Sequence, residues 1–317
     1  MNGKSHRLYV APMQGYTDAV WRHAHAEVYG DMAGYFTPFV RMEKGEPRAR
    51  DMRDVISPLN ANHDPVPQII FRDAAECGAL LNALLSCGVR RVDLNLGCPF
   101  PPQCRKGRGA AMAGNVSVMS EVAVMVRNMP ELEFSVKMRL GLTAADEWRA
   151  LMPVLNDMPL SHITLHPRVA SQQYAGDLYH DECAMFIEQS LHPVIFNGDI
   201  RSMSDIDDTL RRYPALGGVM AGRGLMRRPS LFAEWLDGSE WPATKRNEHL
   251  LQMHAIIYGH NRDTLCGPGQ ILMKMRTFWE YMQSESARKQ WKAIMKAGTL
   301  HGYEAAVTSY FAAQDCP

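Results

Sequence analysis

Short apolar or β-branched runs recur from Leu8 to Ala221, at Leu8–Ala11, Tyr35–Val40, Pro67–Phe71, Arg91–Asn95, Phe134–Met138, His162–His166, Val194–Asn197 and Gly218–Ala221. A polar, helix-compatible segment follows each. Short apolar runs alternating with helical segments predict an α/β fold with a parallel sheet, and eight such units predict a (β/α)8 TIM barrel. Two of the helices are legible in detail. One runs over Asp73–Cys87, opening on an aspartate cap and stopping at Gly88, and another over Ser202–Tyr213 opens with Ser204 and Asp205.

The alternation ends near Trp241-Pro242. Beyond it the periodicity is helical only, through Leu250, Leu251, His254, Ile257 and Tyr258, then Ile271, Met275, Phe278, Trp279 and Met282. The reading is a barrel domain over 1–240 and a small all-helical domain over 241–317.

Composition narrows the class. A chain of 317 residues with 46% hydrophobic and 21% charged residues can bury a substantial core. The N-terminus, Met1–His6, is short and polar, and no apolar stretch reaches the roughly 18 residues a membrane span needs. Neither a signal peptide nor a membrane anchor is expected. Seven scattered cysteines (77, 87, 98, 104, 183, 266 and 316) argue against a disulfide framework and point to the reducing cytoplasm. Net charge is zero, but the tail is basic: Lys245, Arg246, Arg262, Lys274, Arg276, Arg288, Lys289, Lys292 and Lys296 outnumber its acids. Such charges are either solvated helix faces or a polyanion footprint.

In a barrel the working residues sit where strands end. Asn95 and Cys98 follow the fourth run, Lys137 and Arg139 close the fifth, His166 and Arg168 the sixth, Asn197-Gly198-Asp199 the seventh, and Gly222-Arg223-Gly224 the eighth. Glycines let backbone N–H groups approach an anion, and the loops after strands seven and eight are the usual phosphate site of this fold. Two such loops point to a phosphate-bearing cofactor. Lys137 could stabilise negative charge on a reduced flavin ring, and Gln68 offers a donor and an acceptor to its edge or is a buried amide paired with backbone. Cys98 can be an acid, a nucleophile or an apolar filler. Cys104 shares its loop, but no further ligand is near in sequence, so no metal is expected.

Taken together these blocks resemble the tRNA-dihydrouridine synthase family. The matching stretches are Ala11-Pro12-Met13-Gln14-Gly15-Tyr16-Thr17-Asp18, Asp93-Leu94-Asn95-Leu96-Gly97-Cys98-Pro99 with Gly107 and Gly109-Ala110, Ser135 to Gly141, Leu165-His166-Pro167-Arg168, Asn197 to Ile200, and Met220 to Gly224, in the family's order over roughly residues 7–235. The resemblance implies an FMN-binding barrel, a helical tRNA-binding domain, and NADPH as reductant. It implies that Pro12, Met13, Gln14, Gln68, Lys137, His166, Asn197, Gly198, Asp199, Gly222 and Arg223 hold FMN. Cys98, on a mobile loop, would be the general acid, with Asn95, Arg139 and Arg168 contacting the substrate base. A monomer acting on tRNA is expected.

The chain departs from the family pattern in places. Thr37-Pro38 stands where Thr-Glu is usual, with Glu43 a candidate replacement; Asp199 is one methylene shorter than the usual glutamate; Pro167 replaces a glycine, and Phe100-Pro101-Pro102 stiffens the loop after Cys98. Two other functions compete. An FMN barrel oxidoreductase for a small molecule, of the dihydroorotate or ene-reductase type, would use the same phosphate loops but does not need the basic tail. A non-catalytic RNA binder would not need Cys98 and Lys137.

Overall fold

Each of the eight apolar runs contributes a strand to one curled parallel sheet: β1 (Arg7–Val10), β2 (Gly34–Tyr35), β3 (Gln68–Ile69), β4 (Arg91–Leu96), β5 (Glu133–Gly141), β6 (Leu160–Val169), β7 (Val194–Asn197) and β8 (Gly218–Ala221). The computed structural model describes residues 7–30, 32–283 and 285–314; the polar segment Met1–His6 and Cys316 lie outside the described residues. Sheet order runs from β2 through β1, then β8 down to β3. The seam between β2 and β3 is closed by the bridges Phe36 to Val66 and Val40 to Ile69. The fold is therefore the expected α/β barrel.

The second run is where pattern and structure differ. Tyr35–Val40 reads as one strand, but regular pairing stops at Tyr35. Pro38 has no N–H to give a ladder. Thr37 turns its hydroxyl inward, donating to the Pro38 carbonyl at 2.9 Å and accepting from the Gln68 N–H at 3.2 Å. Strands β5 and β6 are longer than their apolar runs, so Arg139 and Arg168 lie within them. Pro167 does not end β6.

Helices cover the outside of the sheet and bury its outward face in one continuous core. Ala74–Ser86 is capped by the Asp73 side chain, and Met203–Arg212 by a reciprocal pair of Ser202 and Asp205. Inside the barrel, Tyr9, Ala11, Phe36, Val66, Ile195 and Met220 form a separate small apolar cluster. The opposite inner wall is polar. Gln68, Asp93 and Ser135 stand in one register row across β3, β4 and β5, with Asn95 and Lys137 in the row above.

After residue 242 the chain is helical: Ala243–Thr264, Pro268–Trp279, Arg288–Lys296 and Leu300–Gln314. These helices pack around Trp279, whose indole N–H donates to the Tyr303 hydroxyl at 2.9 Å, and His254, 2.6 Å from the same hydroxyl. Two of their contacts with the barrel lie at its first loop. Lys274 pairs with Asp18 at 2.6 Å, and the Tyr16 hydroxyl donates to Glu280 at 2.9 Å. Among the described residues, no single helix is long and apolar enough to cross a membrane, and the six cysteines there are free.

Candidate active site

At the C-terminal end of the strands lies a cavity of about 410 Å3, within the size range of small-molecule and cofactor sites. It gathers Pro12, Met13, Gln14, Gln68, Asn95, Cys98, Lys137, Arg139, His166, Asn197, Gly198, Asp199, Gly222 and Arg223. Residues far apart in the chain thus converge because each ends, or nearly ends, a strand of the same sheet.

Arg168 is the exception. It does not line the cavity but lies behind it, 3% exposed, donating to the Gly176 carbonyl at 2.7 Å and to Asp199 at 2.5 Å, and standing 3.3 Å from His166 Nε2. Its guanidinium is taken up by the Gly176 carbonyl and Asp199. Glu43 is no stand-in for the missing acid at position 38: it sits on an exposed hairpin beside Arg41 and Arg48, away from the cavity.

The backbone of Cys98 is hydrogen-bonded on both sides. Its N–H donates to Asn95 Oδ1 at 2.9 Å, beside the Gly97 N–H at 3.1 Å. Its carbonyl accepts from the Ala110 N–H at 3.1 Å and the Cys104 thiol at 3.3 Å. Two glycines make this turn possible. A Cβ on Gly97 would press on the Met138 backbone at 3.1 Å, and Gly109 sits at φ +62° against Cys98 itself. The three residues Phe100-Pro101-Pro102 start a short helix, Pro101–Cys104, with proline where a missing N–H costs nothing. Burial pushes the Cys98 thiol above its ordinary pKa, keeping it protonated near neutrality.

The electrostatics of the cavity are cationic. Lys137 donates to Asn197 Oδ1 at 2.8 Å, and Asn197 in turn donates to the Met220 carbonyl at 2.8 Å, so the ammonium is held between β5 and β7. Burial, reinforced by Arg139, lowers its pKa to about 8. Burial and the surrounding cations hold His166 neutral. Asp199, at φ +48°, is the sole carboxylate among the described lining residues, and Arg168, Arg201 and Arg223 all contact it. Its charge is committed to aligning guanidinium groups. Gly222 opens the turn into Arg223–Arg227, where a Cβ would meet the Met13 sulfur at 2.9 Å, so the first-turn N–H groups stand at the cavity edge. This donor set suits an anionic, phosphate-bearing group.

Four further lining residues lie outside the recognised blocks: Phe39, Tyr174, Arg201, which directly follows one, and Tyr281. Tyr174 lies beneath two guanidinium groups, with Arg223 at 4.5 Å and Arg139 at 5.3 Å from its ring centre. Tyr281 comes from the C-terminal helices and packs edge-on to Tyr16, ring centres 5.3 Å apart; nothing local in its sequence marks it. Among the described residues, no group of three or more His, Cys, Asp or Glu side chains could hold a metal.

A barrel whose strand ends enclose a cation-walled cavity with a thiol in its lining has the form of an α/β-barrel enzyme site. The chain belongs to the dihydrouridine synthase family: the model described as dihydrouridine synthase (Dus) matches residues 9–314. It is an oxidoreductase of that family. It is 27% identical over 231 residues to a probable tRNA-dihydrouridine synthase 2 of Bacillus subtilis (strain 168), covering 70% of each chain. It is 31% identical over 170 residues to a tRNA-dihydrouridine(47) synthase NAD(P)(+)-like protein of Mus musculus, covering 52% of this chain and 26% of that one.

Proposed function

We propose that this chain reduces the C5–C6 double bond of uridines in tRNA to 5,6-dihydrouridine, with FMN in the cavity and NADPH as reductant. The observation that carries the reading is that Cys98 and Lys137 line one cationic cavity at the mouth of the barrel. The residues that would hold FMN are Pro12, Met13, Gln14, Gln68, Lys137, His166, Asn197, Gly198, Gly222 and Arg223, with Asp199 aligning the arginines. When bound there, FMN supplies the hydride that adds to C6 of the uracil.

The chain's own groups do the rest. Hydride addition builds negative charge at C5 and O4 of a weakly electrophilic ring. Cys98 gives its proton to C5, a task for which a thiol held protonated by burial is suited. Arg139, which lines the cavity with its guanidinium 5.3 Å from the Tyr174 ring centre, would offer that group to the carbonyl oxygens of the base.

A uracil in folded RNA is stacked, and extruding it costs a few kcal/mol. Backbone contacts must offset that cost. Of the nine basic residues of the tail, five have partners within the protein: Lys245 with Asp237, Arg246 with Glu234 and Glu240, Arg262 with Glu304, Lys274 with Asp18, and Arg276 with the Ala297 carbonyl. The other four, Arg288, Lys289, Lys292 and Lys296, are exposed on the helix Arg288–Lys296, and the three lysines recur at helical spacing along one face. This arrangement supports a division into a catalytic barrel over 1–240 and an RNA-binding helical part over 241–317; the proposal takes the chain to act as a monomer in the cytoplasm.

A visible absorption spectrum of the purified protein, followed anaerobically by NADPH and then unmodified tRNA, tests the reading. A flavin spectrum that bleaches with NADPH and returns on adding tRNA is the expected result. Absence of flavin overturns it, and bleaching that only a small enone or free pyrimidine reverses replaces tRNA with a small-molecule substrate.

A further inference from the structure

Asp93 is a fully buried carboxylate that the proposed chemistry does not use. It projects into the barrel from β4, one register row below Asn95, and is 0% exposed. Its two oxygens are engaged separately. Oδ1 accepts from the Ser135 hydroxyl at 2.6 Å, and Oδ2 accepts from Gln68 Nε2 at 2.7 Å. Gln68 Oε1 then accepts from Asn95 Nδ2 at 2.6 Å, and Asn95 Oδ1 accepts from the Gly97 and Cys98 N–H groups. Gln68 is 1% and Asn95 7% exposed, so these bonds form with little competition from water.

The direction of this chain of bonds is set at one end. An ionised carboxylate can only accept. It therefore turns the Gln68 amide nitrogen toward Asp93 and leaves the oxygen for Asn95. Asn95 must then present its nitrogen to Gln68 and its oxygen to the backbone that carries Cys98. Reversing either amide would place oxygen against oxygen at Asp93 or nitrogen against the two loop N–H groups. We infer that Asp93 is a positioning residue for the reduction reaction: through Gln68 and Asn95 it fixes the turn that aims the Cys98 thiol into the cavity. This rests on the proposed role of Cys98 as proton donor. Asp93 touches neither substrate nor cofactor, and a structural role alone would not bind its effect to position 95.

The test is a pair of near-isosteric swaps. Asn95→Asp keeps an acceptor oxygen for the Gly97 and Cys98 N–H groups but sets a second carboxylate against the one Gln68 amide, and repulsion from Gln68 Oε1 draws it away from them. With a buried partner left unsatisfied, kcat per bound flavin should fall by about tenfold or more. Adding Asp93→Asn should restore it. Gln68 can then turn over, donating to the carboxylate now at position 95 and accepting from the amide now at position 93, and every bond closes in the reversed sense. Recovery of kcat to within about threefold of wild type, with non-additive coupling between the two sites, is the expected result.

Hydrogen exchange at the Gly97 and Cys98 amides gives a readout independent of catalysis. Protection should fall in Asn95→Asp and return in the double variant. A double variant no better than Asn95→Asp in both kcat and amide protection overturns the inference, as does an Asn95→Asp enzyme with wild-type kcat. If Asn95→Asp does not fold, soluble expression of the double variant with protected amides supports the coupling, and failure of both overturns it. A wild-type protein without flavin or tRNA reduction defeats the functional reading instead, and the exchange data still decide the role of Asp93.

Discussion

Gly109 rests directly on Cys98. A methyl group built on Gly109 would stand 2.8 Å from both the Cβ and the carbonyl oxygen of Cys98, and the glycine occupies φ +62°, where an alanine is strained. Gly109→Ala is expected to cost about 2–4 kcal/mol through strain and overlap, and to displace the thiol. A fall in Tm accompanied by a larger loss of kcat than of flavin binding is the expected pattern, read by calorimetry and steady-state kinetics. An alanine variant with native Tm and turnover would show that the turn yields without moving Cys98.

Removing the thiol itself separates chemistry from binding. Cys98→Ala should keep the flavin and its bleaching by NADPH but lose roughly 100- to 10,000-fold in tRNA reduction, the range for one general acid. Single-turnover reoxidation of the reduced enzyme by tRNA measures this directly. Full activity in Cys98→Ala would remove Cys98 from the acid role.

Lys137 gives the site a pH dependence with a definite sign. Its pKa is lowered from 10.5 to about 8, first by burial and then by Arg139. If the ammonium is the working form, kcat falls as pH rises through about 8, and that limb disappears from the residual activity of Lys137→Met. Stability moves the other way. Between about pH 8 and 10 the unfolded chain binds the proton that the folded protein has released, so the cost of burying the charge, fully present below pH 8, is relieved as pH rises. The Tm difference between wild type and Lys137→Met should therefore shift in favour of the wild type over that window. A constant difference would place the titration elsewhere.

The exposed face of Arg288–Lys296 offers an electrostatic test. Lys289→Glu, Lys292→Glu and Lys296→Glu together should weaken tRNA binding and flatten its salt dependence by about one logarithmic unit of slope per lost phosphate contact. NADPH-driven bleaching of the flavin should be unaffected. Filter binding across a salt series reads the slope, and an unchanged slope would move the RNA footprint to another surface.

Much of the barrel is legible in the sequence because the outward face of each strand is buried under helices, which leaves a short apolar or β-branched run, interrupted in β4 and β5 by the inward polar residues Asp93, Ser135 and Lys137. The second strand misleads for a local reason: Pro38 takes away an N–H in a segment whose side chains otherwise read as β, and Phe36 and Val40 pair singly instead. Lys137 and His166 are visible because strand ends are where a barrel keeps its chemistry. Arg168 is misplaced by the pattern because β6 runs on to Val169, and the loop at Gly176 together with Asp199 covers its guanidinium. Asp93 stands inside a recognised block without a role, since its importance lies in two partners on neighbouring strands. Tyr281 is out of reach of any local pattern.

Tyr16 and Glu280 touch across 264 positions of sequence, and Asp18 and Lys274 across 256. Contacts of such span close only after nearly all of the intervening chain has found its place, because the entropy of joining its ends must be met before they form. During synthesis the first loop of the barrel therefore waits for a segment made much later. A nascent chain halted before residue 274 lacks both contacts and the wall that Tyr281 provides, so the mouth of the barrel is completed only when the last quarter of the chain is made.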